Sequence, residues 1–222
     1  MSDDEYKEES KDDNVDELAD LLNENKITEK VVNKGTGAGG ANTNVTGKSF
    51  ENKTNNDNNL IKKGFEKVMI PGKKKNKDGY YLIKKINDNE DIVYVKQHGL
   101  KFYFQYKFKI VMFRNPDEAY LYRNGDKYTL KIIEMKNQNV AGSVDTKLLA
   151  GPGFIEEYNY AINNDKFKME YSFCISEYLK KNYISEEKKY DILRKILNKH
   201  NIKVFYGDDE NYFDKVNEWL NL

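Results

Sequence analysis

An α/β fold, a mixed β-sheet flanked by helices, is predicted by three features of this 222-residue sequence. From Tyr80 to Lys136 apolar residues recur with period two, interrupted by Asn-, Asp- and Gly-containing turns, which marks antiparallel strands. After Phe154, helical and strand-like stretches alternate, as in α/β sheets. The length gives one main domain enough volume for a real core.

Taken in chain order, Asn14 to Asn25 reads as a short amphipathic helix. Asn14 stands at the N-cap with Glu17 three residues on, and Val15, Leu18, Leu21 and Leu22 form one stripe. Residues 34–47 hold five glycines in fourteen positions and predict a loop or a close backbone approach. A second helix is expected from Lys48 to about Lys67, with Phe50, Thr54, Ile61 and Phe65 near one face. Tyr80 to Ile86 and Asp91 to Gln97 read as a hairpin around Asn87-Asp88-Asn89. Leu100, Phe102, Phe104, Tyr106 and Phe108 alternate with polar partners and predict another strand. Ala119 to Arg123 and Lys127 to Lys136 flank Asn124-Gly125, a two-residue hairpin signal. Beyond a loop at 137–153, Phe154 to Ile162 reads as helix, Met169 to Ser176 as strand and Ser185 to Asn201 as helix. Ile202 to Tyr206 makes a last strand, and Tyr212, Val216, Trp219 and Leu220 line a closing helix. The domain organisation is an acidic N-terminal tail with its helix over 1–33 and a single domain over 34–222.

The formal net charge of zero conceals a split, because residues 1–29 sum to −9 and residues 30–222 to +9. A basic body favours anionic partners, nucleic acid among them, although a solvated lysine-rich surface is an equally good account of it. No apolar run approaches the roughly 18 residues that cross a bilayer. The acidic N-terminus has neither the basic nor the apolar region of a secretory signal. These features predict an intracellular, cytoplasmic protein that is not secreted and has no membrane partner. The lone Cys174 excludes an internal disulfide and lies in an apolar run, as a buried inert thiol does. His98 and His200 fit no metal-ligand spacing and no catalytic triad.

Gly47-Lys48-Ser49 invites comparison with a phosphate-binding loop. That loop needs a glycine where Asn42 stands, so nucleotide hydrolysis is set aside. A stronger constellation joins Pro116-Asp117-Glu118 to Glu134-Met135-Lys136, with sixteen residues between Asp117 and Glu134. Strand alternation puts Glu134 and Lys136 on one face about 6–7 Å apart. Asp117 enters the hairpin whose other strand ends at Glu134, so it can lie across from it. Two carboxylates converging beside one ammonium are costly unless a cation sits between them, and Mg²⁺, a hard ion that keeps waters, fits. A surface Glu/Lys pair is the ordinary alternative. Leu130, Ile132 and Ile133 argue against it, since they mark a central strand where an inward charge needs a reason.

Three segments of the sequence resemble the PD-(D/E)XK nucleases, and among them the type II restriction endonucleases. These are Gly37 to Asn44 with Gly47-Lys48-Ser49-Phe50-Glu51, then Pro116-Asp117-Glu118-Ala119, and Ile132 to Lys147. The resemblance implies a restriction-endonuclease-like αβββαβ core. It implies that Asp117 and Glu134 ligate Mg²⁺, that Lys136 positions or activates the attacking water, and that Glu51 is an additional catalytic acid. Glu118 is a rival to Asp117. Gln138, Ser143, Asp145 and Lys147 are similar to family positions that face DNA, while the glycine-asparagine loop, a departure from the wider superfamily that only some restriction enzymes share, is expected to bind DNA as well, through Asn42, Asn44 and Lys48. The partners implied are double-stranded DNA, a second copy of the chain, and a paired DNA methyltransferase of the same system. A branched-DNA resolvase or repair nuclease of the same fold, and a non-cutting DNA-binding module, remain as alternatives.

Overall fold

The computed structural model describes residues 43–73, 78–138 and 144–222, all within a unit that runs from Thr36 to Leu222. The expected helix at Asn14 to Asn25 lies outside the described residues, as do Asn42 and Ser143. Side chains of Asn44, Lys48 and Asp145 lie outside them as well.

Period-two burial builds the sheet. Strands β1 (Glu66–Met69), β2 (Tyr80–Asn87) and β3 (Glu90–Val95) are followed by helix α3 (His98–Phe108) and then β4 (Glu118–Asn124) and β5 (Lys127–Lys136). Ahead of β1 stand α1 (Thr43–Thr54) and α2 (Asp57–Lys62). After β5 come α4 (Val144–Leu149), α5 (Gly151–Ile162), β6 (Phe167–Ile175), α6 (Glu177–Tyr183), α7 (Lys188–Lys199), β7 (Lys203–Tyr206) and α8 (Tyr212–Leu220). The seven strands lie side by side in chain order. β1 to β5 pair antiparallel, whereas β5–β6 and β6–β7 are parallel. The fold is therefore α/β with a mixed sheet flanked by helices. Among the described residues, no helix is long and apolar enough to cross a membrane.

Each sheet face has its own core. Leu130 and Ile132 of β5 pack with Ala119, Leu121, Tyr171 and Phe173 against α3, α5 and α7. Ile133 and Met135, one residue out of phase, pack with Tyr94, Tyr120 and Cys174 against Phe50 of α1 and Tyr212, Val216 and Leu220 of α8. This two-sided burial is why β5 reads as a nearly continuous apolar run. Its register is set at the turn, where Asn124 pairs with Lys127 around Gly125, whose φ of +61° is a left-handed conformation that glycine adopts without strain.

Four expectations are corrected. Residues 98–108 form helix, not strand: Leu100, Tyr103 and Phe104 are buried at helical spacing on the sheet, Phe102 and Phe108 are partly buried against the same core, and Tyr106 is left exposed. The single helix expected from Lys48 to Lys67 is broken at Asn55–Asn56 and ends in a strand. The Asn56 N–H leaves the helical ladder for Glu118 Oε1 (3.0 Å), and the Asn55 side chain accepts from the Asp57 N–H (3.0 Å). The glycine-rich stretch expected as loop becomes helical at Thr43. Helix α4 occupies part of the expected loop at 137–153, and α6 precedes the helix expected at Ser185.

Candidate active site

Asp117 sits where the chain enters β4. The last paired residues of the β4–β5 ladder are Glu118 and Ile133, so the Met135 N–H lies beyond the backbone partners that β4 can supply. The Asp117 side chain takes that place: Oδ2 accepts from the Met135 N–H at 2.6 Å. Gln97 reaches the other oxygen, its Nε2 lying 3.4 Å from Asp117 Oδ1, while its backbone N–H donates to Pro116 O (2.8 Å) and ties the end of β3 to the Asp117 turn.

Strand alternation sends Glu134 and Lys136 to the face shared with Ile132. Lys136 Nζ donates to Glu134 Oε1 at 2.6 Å, with the two side chains only 18% and 23% exposed, so the pair is partly shielded from water. The segment that follows is held in place. Ser176 N–H donates to Lys136 O (3.1 Å), and Ser176 Oγ bonds both the N–H and the carbonyl of Gln138.

Burial, and then the neighbouring Glu134 carboxylate, push the Asp117 carboxyl up to about 7. The Met135 N–H and the Lys136 ammonium oppose that rise, and the charge of Glu51 on α1 adds to it. Two carboxylates thus repel each other at the end of β5, with a third near enough to be felt, and a cation would relieve that repulsion. Carboxylate oxygens are the hard donors that Mg²⁺ takes. Among the described residues no group of three or more Asp, Glu, His or Cys converges to hold a metal by itself. A cation at Asp117 and Glu134 would therefore keep several waters, which suits Mg²⁺. Buried Tyr158 of α5 and Tyr171 of β6 lie close behind: burial raises both phenols, and the charges of Glu134 and Asp117 raise them further. Neither tyrosine, nor Gln97, nor Ser176 carried any signal at the level of sequence, since each stands in an ordinary helix, strand or turn pattern.

Glu118 occupies a different place. It points to the opposite sheet face, 2% exposed, where Oε1 accepts from the Asn56 N–H and Tyr94 OH (3.1 Å) and Oε2 from Tyr120 OH (2.8 Å). The geometry makes it a joint between β4 and the α1–α2 break, one residue from Asp117. Burial pushes its carboxyl up to about 7 against these hydrogen bonds. A folded-state pKa above the unfolded one means that the folded chain holds this proton more tightly. The stabilisation is then complete below about pH 4.5 and is lost as pH rises through 7. Glu118→Gln, which cannot ionise, should remove that loss. Thermal melts of the two proteins should be similar near pH 4.5 and diverge by on the order of 3 kcal/mol in favour of the variant by pH 8. Parallel pH profiles would remove Glu118 as the titrating group.

Of the residues expected to face DNA, Gln138 is half-buried beside Ser176 and Lys147 is exposed on α4. No protein-family model, curated protein or solved structure matches the chain.

Proposed function

We propose that the chain is a Mg²⁺-dependent endodeoxyribonuclease of the PD-(D/E)XK type, a type II restriction enzyme that hydrolyses phosphodiester bonds in duplex DNA at a short specific site. The observation that carries this reading is the placement of Asp117, Glu134 and Lys136 together at one end of two paired strands, with the Glu51 charge reaching Asp117. The order of elements lends support. With β1, β2 and α3 set aside as additions before β4 and α6, α7, β7 and α8 as additions after β6, helices α1–α2, antiparallel β3–β4–β5, helices α4–α5 and parallel β6 are compatible with the order αβββαβ.

Mg²⁺ held by Asp117 and Glu134 would polarise the scissile phosphate and lower the pKa of a bound water. Lys136 then stands beside the charge that grows on the phosphorane oxygens and offsets it. The Met135 N–H keeps Asp117 turned toward this end of the strand, and the Ser176 clamp fixes the chain just beyond Lys136. Cutting both strands of a palindrome fits a two-fold symmetric homodimer.

The test is digestion of a mixed DNA substrate with Mg²⁺ and sequencing of the ends. Discrete fragments with common termini are the expected result. Cleavage confined to four-way junctions would make the chain a resolvase, and binding without any cleavage would make it a DNA-binding module.

A further inference from the structure

A groove of about 430 Å³ runs along the outer side of α3, between that helix, the residues after β1 and the segment that follows α3. Its walls combine two kinds of chemistry. Lys73, Lys101 and Lys109 supply three ammonium groups, and among its described lining residues none is acidic. Between them lie Phe102, Tyr106 and Val111, the last two 42% and 62% exposed. Lys73 Nζ stands 4.4 Å over the Phe102 ring. The inner face of α3 already supplies the core with Leu100, Tyr103 and Phe104, so the fold does not require an aromatic at 106. Helix α3, which forms one wall of the groove, begins immediately after Gln97, which touches both Pro116 and Asp117.

The Phe102 ring is covered by Lys73 and stacked with His98 (centroids 6.3 Å apart), so the exposed ring of the groove is Tyr106. We propose that this groove binds an unpaired stretch of nucleic-acid strand, with a base against Tyr106 and phosphates at Lys73, Lys101 and Lys109. Cations without acids select an anionic partner, and lysines set around an exposed ring are an arrangement that holds single strands. Duplex DNA satisfies the charges but not the rings, because its base faces are already stacked on one another. An acidic peptide likewise offers charge with no flat surface to stack. The proposal goes beyond the nuclease reading and rests on it only for purpose. If Asp117 and Glu134 cut duplex DNA at a short site, the groove would hold an unpaired strand in addition to that duplex.

The measurement is fluorescence anisotropy of the full-length chain with a short labelled oligothymidylate in chelator-containing buffer, where cleavage plays no part. The wild type should bind it. Tyr106→Ala should weaken binding about 5- to 100-fold, the range expected for one lost stacking contact, while Tyr106→Phe keeps it. The double variant Lys73→Glu, Lys101→Glu should weaken it at least tenfold and flatten its salt dependence. Melting curves verify that these surface variants fold. Unchanged affinity in Tyr106→Ala, an equal loss on a blunt duplex, or competition by polyglutamate as effective as by oligothymidylate would each overturn the proposal. Failure of the chain to cut any DNA with Mg²⁺ would sink the nuclease reading and leave this binding result standing.

Discussion

Asp117→Asn should abolish Mg²⁺-dependent cleavage, by a factor on the order of 10³ or more, while binding duplex DNA in metal-free buffer more tightly than the wild type. Both effects come from one atom. The amide keeps a carbonyl oxygen to accept from the Met135 N–H, so the β4 entry is preserved. On the proposed reading it removes a strong ligand, so several kilocalories of metal-borne charge stabilisation would disappear with it. It also removes one of two mutually repelling carboxylates, the repulsion that helps hold Asp117 near 7. In the wild type, two uncompensated carboxylates would face the scissile phosphate, and Ca²⁺, which takes the same oxygen donors with looser geometry, should restore binding without cutting. Rates on a labelled duplex, with affinities measured in chelator and in Ca²⁺, decide it. If Asp117→Asn still cuts and Glu118→Gln does not, the ligand is Glu118, and the buried joint described above is assigned the wrong job.

The second large effect belongs to Lys136. Its replacement by Ala should lower the cleavage rate by on the order of 10²-fold or more and leave duplex affinity nearly intact, because in the proposed mechanism the ammonium would act on charge that develops in the transition state. Its contact with Glu134 sharpens the expectation. Without Lys136, Glu134 loses its one salt-bridge partner among the described residues and with it a positive charge that competes with a cation for the same oxygen, so the variant should reach its own, lower maximal rate at less Mg²⁺. Single-turnover rates across a Mg²⁺ series separate the two consequences. Unaltered cleavage would remove Lys136 from the site.

Much of the sheet was legible because its signals are local. Alternation along β2 and β3, the Asn124-Gly125 turn and the apolar run of β5 each depend on residues within a few positions of one another. Helix α3 was misread because Leu100, Phe102, Phe104, Tyr106 and Phe108 satisfy a period of two while Leu100, Tyr103 and Phe104 satisfy 3.6. Only the sheet surface beneath them decides which set is buried. The break between α1 and α2 was equally hidden, since the acceptor that draws the Asn56 N–H out of its ladder is Glu118, sixty-two residues away. At the candidate site, strand alternation was enough to place Glu134 beside Lys136. It could not distinguish Asp117 from Glu118, because neighbouring residues at a strand entry differ by which face they take, and that is fixed by pairing to β5. Gln97, Tyr158 and Ser176 reach the site from three separate elements, and no spacing in the chain announces them.

The β4–β5 turn has a consequence for how this chain can vary. Asp117 and Glu134 meet because the ladder between them is counted from Asn124 and Lys127, at the far end from the chemistry. Their separation along the chain is therefore a hairpin length rather than a requirement of the site. Adding or removing two cross-strand pairs at the Asn124 end would move the turn outward or inward, keep it on the same kind of pair in the alternating ladder, and leave both acids where they are. A single-residue insertion in either strand alone would turn the acids to opposite faces of the sheet. Tolerated lengths that keep the two-residue turn should thus come in steps of four, and every odd step should separate the acids in a chain that still folds its hairpin.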